Sequence, residues 1–178
     1  VAVCGVIAGT RRTARKRGAA LAMLFQQSLM TPLGALQLEA TEAGLTAIRL
    51  PSRAAEPLKT TQTTPVLDHA IEELTAYFKS ELTRFSVPLS WAGTPFQEAV
   101  WGSLIQIPYG ETVSYNEVAQ AIGRPRSARP VGGAVGRNPL PIIVPCHRVM
   151  GSNGALTGFT GGLEFKVSLL THEGHSLP

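Results

Sequence analysis

Residues 114–136 read SYNEVAQAIGRPRSARPVGGAVG and carry two helix signals separated by a short turn. The first helix begins with Ser114 and Glu117, a capping box in which each side chain bonds a backbone N–H group of the other residue, and it ends at Gly123. Ser127 is the candidate N-cap of the second helix. Two helices joined by a few residues that include glycine predict a helix-turn-helix.

The second of these helices has an unusual composition. Gly132, Gly133 and Ala134 lie at its centre, although glycine destabilises a helix interior by about 1 kcal/mol relative to alanine. Residues this small allow another backbone to approach closely. Helix hairpins also occur in folds that never contact nucleic acid, so DNA binding is one of two interpretations of the motif alone.

The segment before this motif predicts a small mixed α/β domain. Apolar residues alternate from Gln27 to Leu50 as in a β-hairpin or meander, and a helix follows with Thr64 as N-cap and Pro65 at its first position. One more strand is predicted by the alternating residues Phe85, Val87 and Leu89. We therefore expect an α/β domain over residues 27–92 and a mainly helical domain over residues 93–178.

Three further elements are predicted in the second domain. A capping box of Thr94 and Gln97 begins a helix. The apolar run 141–145 is bracketed by prolines and predicts a short buried β segment. The last helix follows Gly162, and Gly174 is placed where a helix C-terminus favours glycine.

The composition is that of a compact globular protein. The 178 residues are 44% hydrophobic and 16% charged, and every apolar run is interrupted before it reaches the roughly 18 residues that span a bilayer, which argues against a membrane protein. Two distant cysteines, Cys4 and Cys146, cannot build a disulfide framework or a cysteine-rich zinc site, and they fit a reducing compartment. No metal site is predicted, because ligand spacing is absent around His69, His172 and His175.

The net charge of +4 comes from one short segment. Five basic residues fall between Arg11 and Arg17, and without them the chain has 11 basic and 12 acidic side chains, so the overall charge argues only weakly for nucleic acid. Residues 1–22 could be a nucleic-acid arm, a targeting segment or sequence that a native start at Met23 would exclude. We favour a disordered or spurious basic extension over residues 1–26.

Cys146 and His147 form the candidate reactive pair. A cysteine attacks as its thiolate, and a nearby imidazole is a common device for removing the thiol proton. Successive side chains of an extended segment point to opposite sides, so the two residues need a turn or a bridging water to interact. Glu173, at a helix C-terminus that disfavours a carboxylate, is a candidate to orient His147. A structural cysteine and a solvent-facing glutamate are the alternatives.

Together these motifs resemble those of the O6-alkylguanine-DNA alkyltransferase family, over residues 28–177. The resemblance is carried in order by Val131 to Ala134, Asn138-Pro139, Pro145 to Val149, Gly161-Gly162 and Leu169 to Gly174. It implies an α+β fold with an N-terminal mixed α/β, ribonuclease H-like module and a C-terminal winged helix-turn-helix domain. It also implies DNA repair by a single-turnover methylated-DNA–protein-cysteine methyltransferase that acts on O6-alkylguanine, with O4-alkylthymine as a second candidate substrate.

The same resemblance assigns catalytic roles. Cys146 would accept the alkyl group as a thioether, while His147, acting through a water and oriented by Glu173, would take the thiol proton. Asn138 would hold the active-site turn. Tyr115 would donate a proton to N3 of the departing guanine and contact the DNA backbone.

Family members bind DNA through the helix-turn-helix in the minor groove and flip the damaged base out of the stack. Arg129 matches the arginine that fills the vacated space. The other DNA-binding residues implied are Ser114, Tyr115, Ser127, Gly132 and Ala134. The implied substrate pocket consists of Val149, Phe159, Thr160 and Lys166.

The sequence departs from the family pattern at three positions. Phe159 replaces a tyrosine found in many members, and Thr160 replaces a smaller serine or alanine. Pro130 directly follows Arg129, where the first helical turn tolerates a missing N–H group, so we expect altered helix entry and retained binding.

The resemblance implies no cofactor and a monomer that binds double-stranded DNA, without a membrane partner, in the cytoplasm or at the nucleoid of a bacterium. A non-catalytic sensor of alkylated DNA is one alternative. A Cys-His-Glu hydrolase or thiol acyltransferase is another, and it is disfavoured because no oxyanion loop is evident and the helix-turn-helix would have no role.

Overall fold

The computed structural model describes residues 23–51 and 63–176. Cys4, the basic cluster and nearly all of the predicted extension over residues 1–26 lie outside the described residues. No helix within the described residues is long and apolar enough to cross a membrane.

An antiparallel meander forms the N-terminal sheet, as the alternating pattern predicts. Its strands are β1 (Phe25–Thr31), β2 (Gly34–Thr41) and β3 (Gly44–Arg49), in that spatial order. β1 begins two residues before the domain start that we placed at residue 27. Leu36 and Leu38 of β2 are completely buried, because the next helix covers this face of the sheet.

That helix, α1 (Pro65–Phe78), begins as predicted, with the Thr64 side chain accepting a hydrogen bond from the Leu67 N–H group. Leu67, Leu74 and Tyr77 are its completely buried large residues. They pack against the meander and extend the core towards the second half of the chain.

The strand predicted over Phe85 to Leu89 is wrong. In this part of the described chain only one isolated bridge forms, between Leu45 and Leu89. The Glu73 carboxylate accepts hydrogen bonds from the backbone N–H groups of residues 86 and 87, at 2.8 and 3.0 Å. Those groups therefore bond a side chain of α1 and are not available to a neighbouring strand.

The second half of the described chain is mainly helical. Its elements are α2 (Pro95–Leu104), β4 (Val113–Ser114), α3 (Tyr115–Ala121), α4 (Ala128–Val135), β5 (Val149–Met150) and α5 (Leu163–His172). Both predicted capping boxes form with their reciprocal bonds. The pair α3 and α4 confirms the helix-turn-helix, with Gly123 at a φ of +68° after α3. Ser127 is the N-cap residue of α4, but its side chain makes no capping hydrogen bond.

The buried β segment predicted over residues 141–145 is also wrong. These residues form a tight turn in which Val144 N–H donates to the Leu140 carbonyl at 2.8 Å and Ile142 has a φ of +78°. A β-branched residue rarely adopts that backbone conformation. The Asn138 side chain holds the turn, since its Nδ2 donates to the Val144 carbonyl and its Oδ1 accepts from Leu140 N–H, at 2.7 and 2.9 Å.

Two hydrogen bonds tie the active-site region to its surroundings. Ile48 N–H of β3 donates to the Pro139 carbonyl at 2.8 Å, which joins the N-terminal sheet to the turn just described. The buried Trp101 indole of α2 donates to the Ala134 carbonyl of α4 at 2.9 Å. This side-chain hydrogen bond adds to the packing of α4 against α2 and α3.

We expect Trp101→Phe to lower the free energy of unfolding by about 1 to 3 kcal/mol, because it removes a buried hydrogen bond and opens a cavity. The Ala134 carbonyl keeps a backbone donor, since Arg137 N–H donates to it at 3.1 Å. Urea denaturation followed by circular dichroism measures the loss. The matched control is Trp91→Phe, since half-buried Trp91 packs edge-on against Trp101 with ring centroids 6.1 Å apart. Equal losses in the two variants would contradict the importance of the indole hydrogen bond.

Candidate active site

Cys146 lies at the floor of a cavity of about 250 Å³ between the two halves of the chain. It begins a 3-10 turn, Cys146–Arg148, and only 5% of the residue is exposed. Ile48 and Arg49 of β3 line one side of the cavity, and Val135 of α4 lines another. The N-terminal sheet therefore contributes directly to the space in front of the thiol.

The turn brings consecutive side chains inward together, which a strand would not allow. Cys146, His147 and Arg148 are all buried. His147 Nε2 lies 2.9 Å from Oε1 of Glu173 at the end of α5, so the structure brings this predicted pair together. The solvent-facing alternative for Glu173 is wrong, because its side chain is completely inaccessible.

Glu173 accepts five hydrogen bonds. Its Oε1 receives His147 Nε2 and, at 2.8 Å each, the Tyr77 hydroxyl and Arg148 Nη2. Its Oε2 receives Arg148 Nε at 2.8 Å and Gly110 N–H at 3.3 Å. Burial would raise the pKa of Glu173, but the hydrogen bonds and charges of His147 and Arg148 outweigh burial and hold that pKa well below its ordinary value.

An ionised Glu173 fixes the tautomer of His147. Because a carboxylate only accepts hydrogen bonds, Nε2 must carry the proton and Nδ1 must keep its lone pair. Nδ1 is buried and has no hydrogen-bond partner among the described protein atoms. Burial lowers the pKa of His147 below its ordinary value, and the hydrogen bond that His147 donates to Glu173 opposes this only in part, so the ring is neutral at pH 7. His147 is thus a neutral base with one free acceptor nitrogen.

Cys146 is held as the thiol. Burial raises its pKa to about 11, although the Asn138 side chain, nearby backbone groups and the Lys166 charge act in the opposite direction. At pH 7 almost no thiolate exists before reaction. The cysteine therefore needs a base at the moment it attacks, which is the arrangement that neutral His147 can supply through a water.

Lys166 of α5 stands beside this thiol and is completely buried. Its Nζ donates to the Val149 carbonyl and, at 3.3 Å, to the Thr157 carbonyl. Burial lowers the pKa of Lys166 to about 8, and Cys146 opposes this shift. The amino group of Lys166 therefore joins β5, through Val149, to the loop that follows it, through Thr157.

The two predicted pocket residues that depart from the family pattern both pack within the cavity wall. Phe159 stacks on Phe165 of α5, with ring centroids 6.3 Å apart and an interplanar angle of 10°. The Thr160 hydroxyl donates to the Gly136 carbonyl, just after α4, at 2.7 Å. The threonine thus ties the loop over the cavity to the end of the second helix of the helix-turn-helix.

A second cavity, of about 470 Å³, lies on the other side of this loop and borders the helix-turn-helix. Tyr115, Arg129 and Gly132 line it, and Arg129 is exposed. A Cβ atom at Gly132 would lie 3.7 Å from the Tyr115 ring, which is an ordinary van der Waals distance, so the approach of α4 to that ring does not itself require glycine. The predicted DNA-binding residues Tyr115, Arg129 and Gly132 are therefore placed on one surface.

The three other predicted DNA-binding residues have different surroundings. Ala134 is 2% exposed and packs in the core, so its side chain does not reach the surface as predicted. Its small size is explained by the approach of Trp101 to α4. The Ser114 hydroxyl accepts the Glu117 N–H group at 3.2 Å and caps α3, and Ser127 is half-buried.

Sequence reasoning missed two residues of the site. Arg148 carries a charge within a buried apolar stretch, and a buried charge must be paired, so a signal for a partner was present. Tyr77 gave no such signal, because helical spacing predicts only that it faces the core. No group of histidine, cysteine and acidic residues within the described ranges could hold a metal ion.

Two family profiles match the chain. Residues 24–91 match the ribonuclease-like domain of 6-O-methylguanine DNA methyltransferase, and residues 95–175 match its DNA binding domain. The methylated-DNA–protein-cysteine methyltransferase of Mycobacterium tuberculosis is 45% identical over 158 residues, which cover 88% of this chain and 96% of the relative. The same-named protein of Methanosarcina acetivorans is 44% identical over 147 residues, covering 81% and 94%. The crystal structure of M. tuberculosis OGT in complex with DNA has a TM-score of 0.76 at 44% identity, covering 83% of this chain and 91% of that one.

We expect Cys146 to react slowly with iodoacetamide at neutral pH in the absence of DNA. Because burial raises its pKa to about 11, the rate should increase about tenfold per pH unit from pH 7.5 to 9.5 without levelling off. A short cysteine peptide should level off above its ordinary pKa of about 8.5. Peptide mapping follows Cys146 separately from Cys4, and circular dichroism checks the fold at each pH. A plateau below pH 8 would show a preformed thiolate.

Proposed function

Because the chain belongs to the 6-O-methylguanine DNA methyltransferase family, we propose that Cys146 is the residue to which it transfers alkyl groups from O6 of guanine in DNA. The activity is that of a methylated-DNA–protein-cysteine methyltransferase, which repairs DNA by direct reversal of the damage. The observation that supports Cys146 is its position on the floor of a cavity, with the buried pair of His147 and Glu173 beside it.

The proposed reaction is a direct displacement. The thiol proton passes through a water to His147 Nδ1, and the sulfur forms a bond to the alkyl carbon while the bond from that carbon to O6 breaks. The electron pair remains on the guanine, which takes a proton at N3 from the Tyr115 hydroxyl. Glu173 stabilises the imidazolium that results. The product thioether resists hydrolysis, so each molecule reacts once.

Tyr115 and Arg129 connect this chemistry to DNA binding. The lesion must leave the base stack to reach Cys146, and the cavity that Arg129 lines lies against the loop that covers the thiol. We propose that Arg129 fills the space that the flipped base leaves. The other exposed arginines of the helix-turn-helix region supply phosphate contacts, namely Arg124, Arg126 and Arg137.

We further propose that the protein acts as a monomer in the cytoplasm, at the nucleoid if its host is a bacterium. One molecule carries a complete set of the proposed residues and is consumed in one reaction, so no second subunit is required. The proposed location is supported by the substrate, because a protein that repairs DNA must share a compartment with it.

Intact-protein mass spectrometry tests the acceptor. After mixing with a duplex that bears one O6-methylguanine, we expect a gain of one CH2 unit per protein, mapped to Cys146 and abolished in Cys146→Ala. The matched control Cys4→Ala should gain the same mass. Lesion-selective binding without a mass gain would instead indicate a sensor, and repeated turnover would indicate a hydrolase.

Arg129→Ala tests the proposed role of this residue in base flipping. Extruding a paired base costs a few kcal/mol, so we expect transfer from a fully paired duplex to slow about tenfold or more, with a smaller effect on a single-stranded substrate. The control is Arg126→Ala, which removes an exposed arginine from the turn before α4 and should slow both substrates alike. Single-turnover rates at fixed salt measure the effects, and equal slowing by Arg129→Ala on both substrates would contradict the proposal.

A further inference from the structure

Tyr77 links the N-terminal domain to the catalytic carboxylate. It belongs to α1, yet its hydroxyl lies 2.8 Å from Oε1 of Glu173, which is 96 residues away in the sequence. We propose that Tyr77 is a positioning residue that sets the strength of His147 as a base by donating to Glu173. This inference rests on the proposed role of His147 in accepting the Cys146 proton.

The geometry makes Tyr77 compete with His147 for one oxygen. Oε1 of Glu173 receives the Tyr77 hydroxyl at 2.8 Å and His147 Nε2 at 2.9 Å. Each donor withdraws negative charge from the carboxylate and so weakens its stabilisation of an imidazolium. A carboxylate without the phenol would hold His147 more strongly in the protonated form, which cannot accept the thiol proton.

The Tyr77 ring is fixed so that its hydroxyl stays on Glu173. Phe85, Tyr109 and His172 pack around it with ring centroids 5.5, 6.1 and 4.9 Å away. The Tyr77 carbonyl also accepts a hydrogen bond from His172 Nε2 at 2.8 Å. Burial and the nearby Glu173 charge raise the pKa of Tyr77 far above its ordinary value, so the hydroxyl keeps its proton at neutral pH and remains a donor.

Other charged and titratable groups also act on His147. Arg148 and Lys166 disfavour its protonation from the same turn and from α5, while Glu173 favours it. Tyr109, from the segment after α2, donates its hydroxyl to the His172 carbonyl at 3.1 Å and not to Glu173. A change confined to the Tyr77 hydroxyl leaves all of these groups in place.

The test uses the full chain with Tyr77→Phe and, separately, with a fluorinated tyrosine at position 77. Loss of the donor should raise the pKa of His147 by about 0.5 to 1 unit, so the acidic limb of the methyl-transfer rate should move to higher pH. Fluorination makes the phenol a stronger donor and should move the limb in the opposite direction. Opposite shifts cannot arise from a loss of packing alone.

Tyr109→Phe is the matched control, because it removes a hydroxyl from the same aromatic cluster without touching Glu173. It should leave the midpoint of the acidic limb unchanged. NMR titration of the His147 ring in the unreacted protein measures the same pKa without using activity. If no variant transfers methyl groups but this pKa still shifts, the proposed function fails and the coupling stands. An unchanged His147 pKa in folded Tyr77→Phe overturns the inference.

Discussion

The buried Glu173 carboxylate, at the end of α5, accepts hydrogen bonds from three other parts of the chain. An ionised carboxylate removed from water is tolerated only when a counter-charge and hydrogen bonds surround it. Here the donors come from α1, from the segment before β4 and from the turn that begins at Cys146. The second half of the chain supplies the counter-charge of Arg148 and the donors His147 and Gly110, and only Tyr77 comes from the first half. Docking of the two halves therefore completes the set of donors around the carboxylate.

The 3-10 turn Cys146–Arg148 brings three consecutive side chains to the Glu173 carboxylate and its surroundings. It directs the proposed nucleophile, the base and the counter-ion of Glu173 into the interior from three consecutive positions, which a strand could not do. Arg148 bonds both carboxylate oxygens and also donates to the Ile107 carbonyl at 2.6 Å. This cation compensates for a carboxylate at the negative end of the α5 dipole.

Local signals in the sequence predicted the helices, whereas contacts between distant residues were not accessible to it. Each capping box lies within four residues, so the sequence alone predicted it. The hydrogen bond between Tyr77 and Glu173 joins residues that are 96 positions apart, and the sequence around Tyr77 showed only a helical spacing. The meander was predicted correctly, but the two later β segments, over residues 85–89 and 141–145, failed for a similar reason. A side chain, Glu73 in one case and Asn138 in the other, takes the backbone groups that a strand would need. Spacing left the roles of the site residues open, and the family resemblance supplied them.

The protonation states of the site suit a protein that is consumed by its own reaction. Many reactive cysteines lie beside an imidazolium that lowers the thiol pKa, and they react with any accessible electrophile. Here burial raises the pKa of Cys146 to about 11 and lowers that of His147, so both groups are neutral before the lesion arrives. In the proposed reaction, proton removal is coupled to displacement of the alkyl group, and we expect the thiol to react only slowly with other electrophiles. If Glu173 stabilised protonated His147 more strongly, Cys146 and His147 would shift towards thiolate and imidazolium. The cysteine would then be less selective for the lesion.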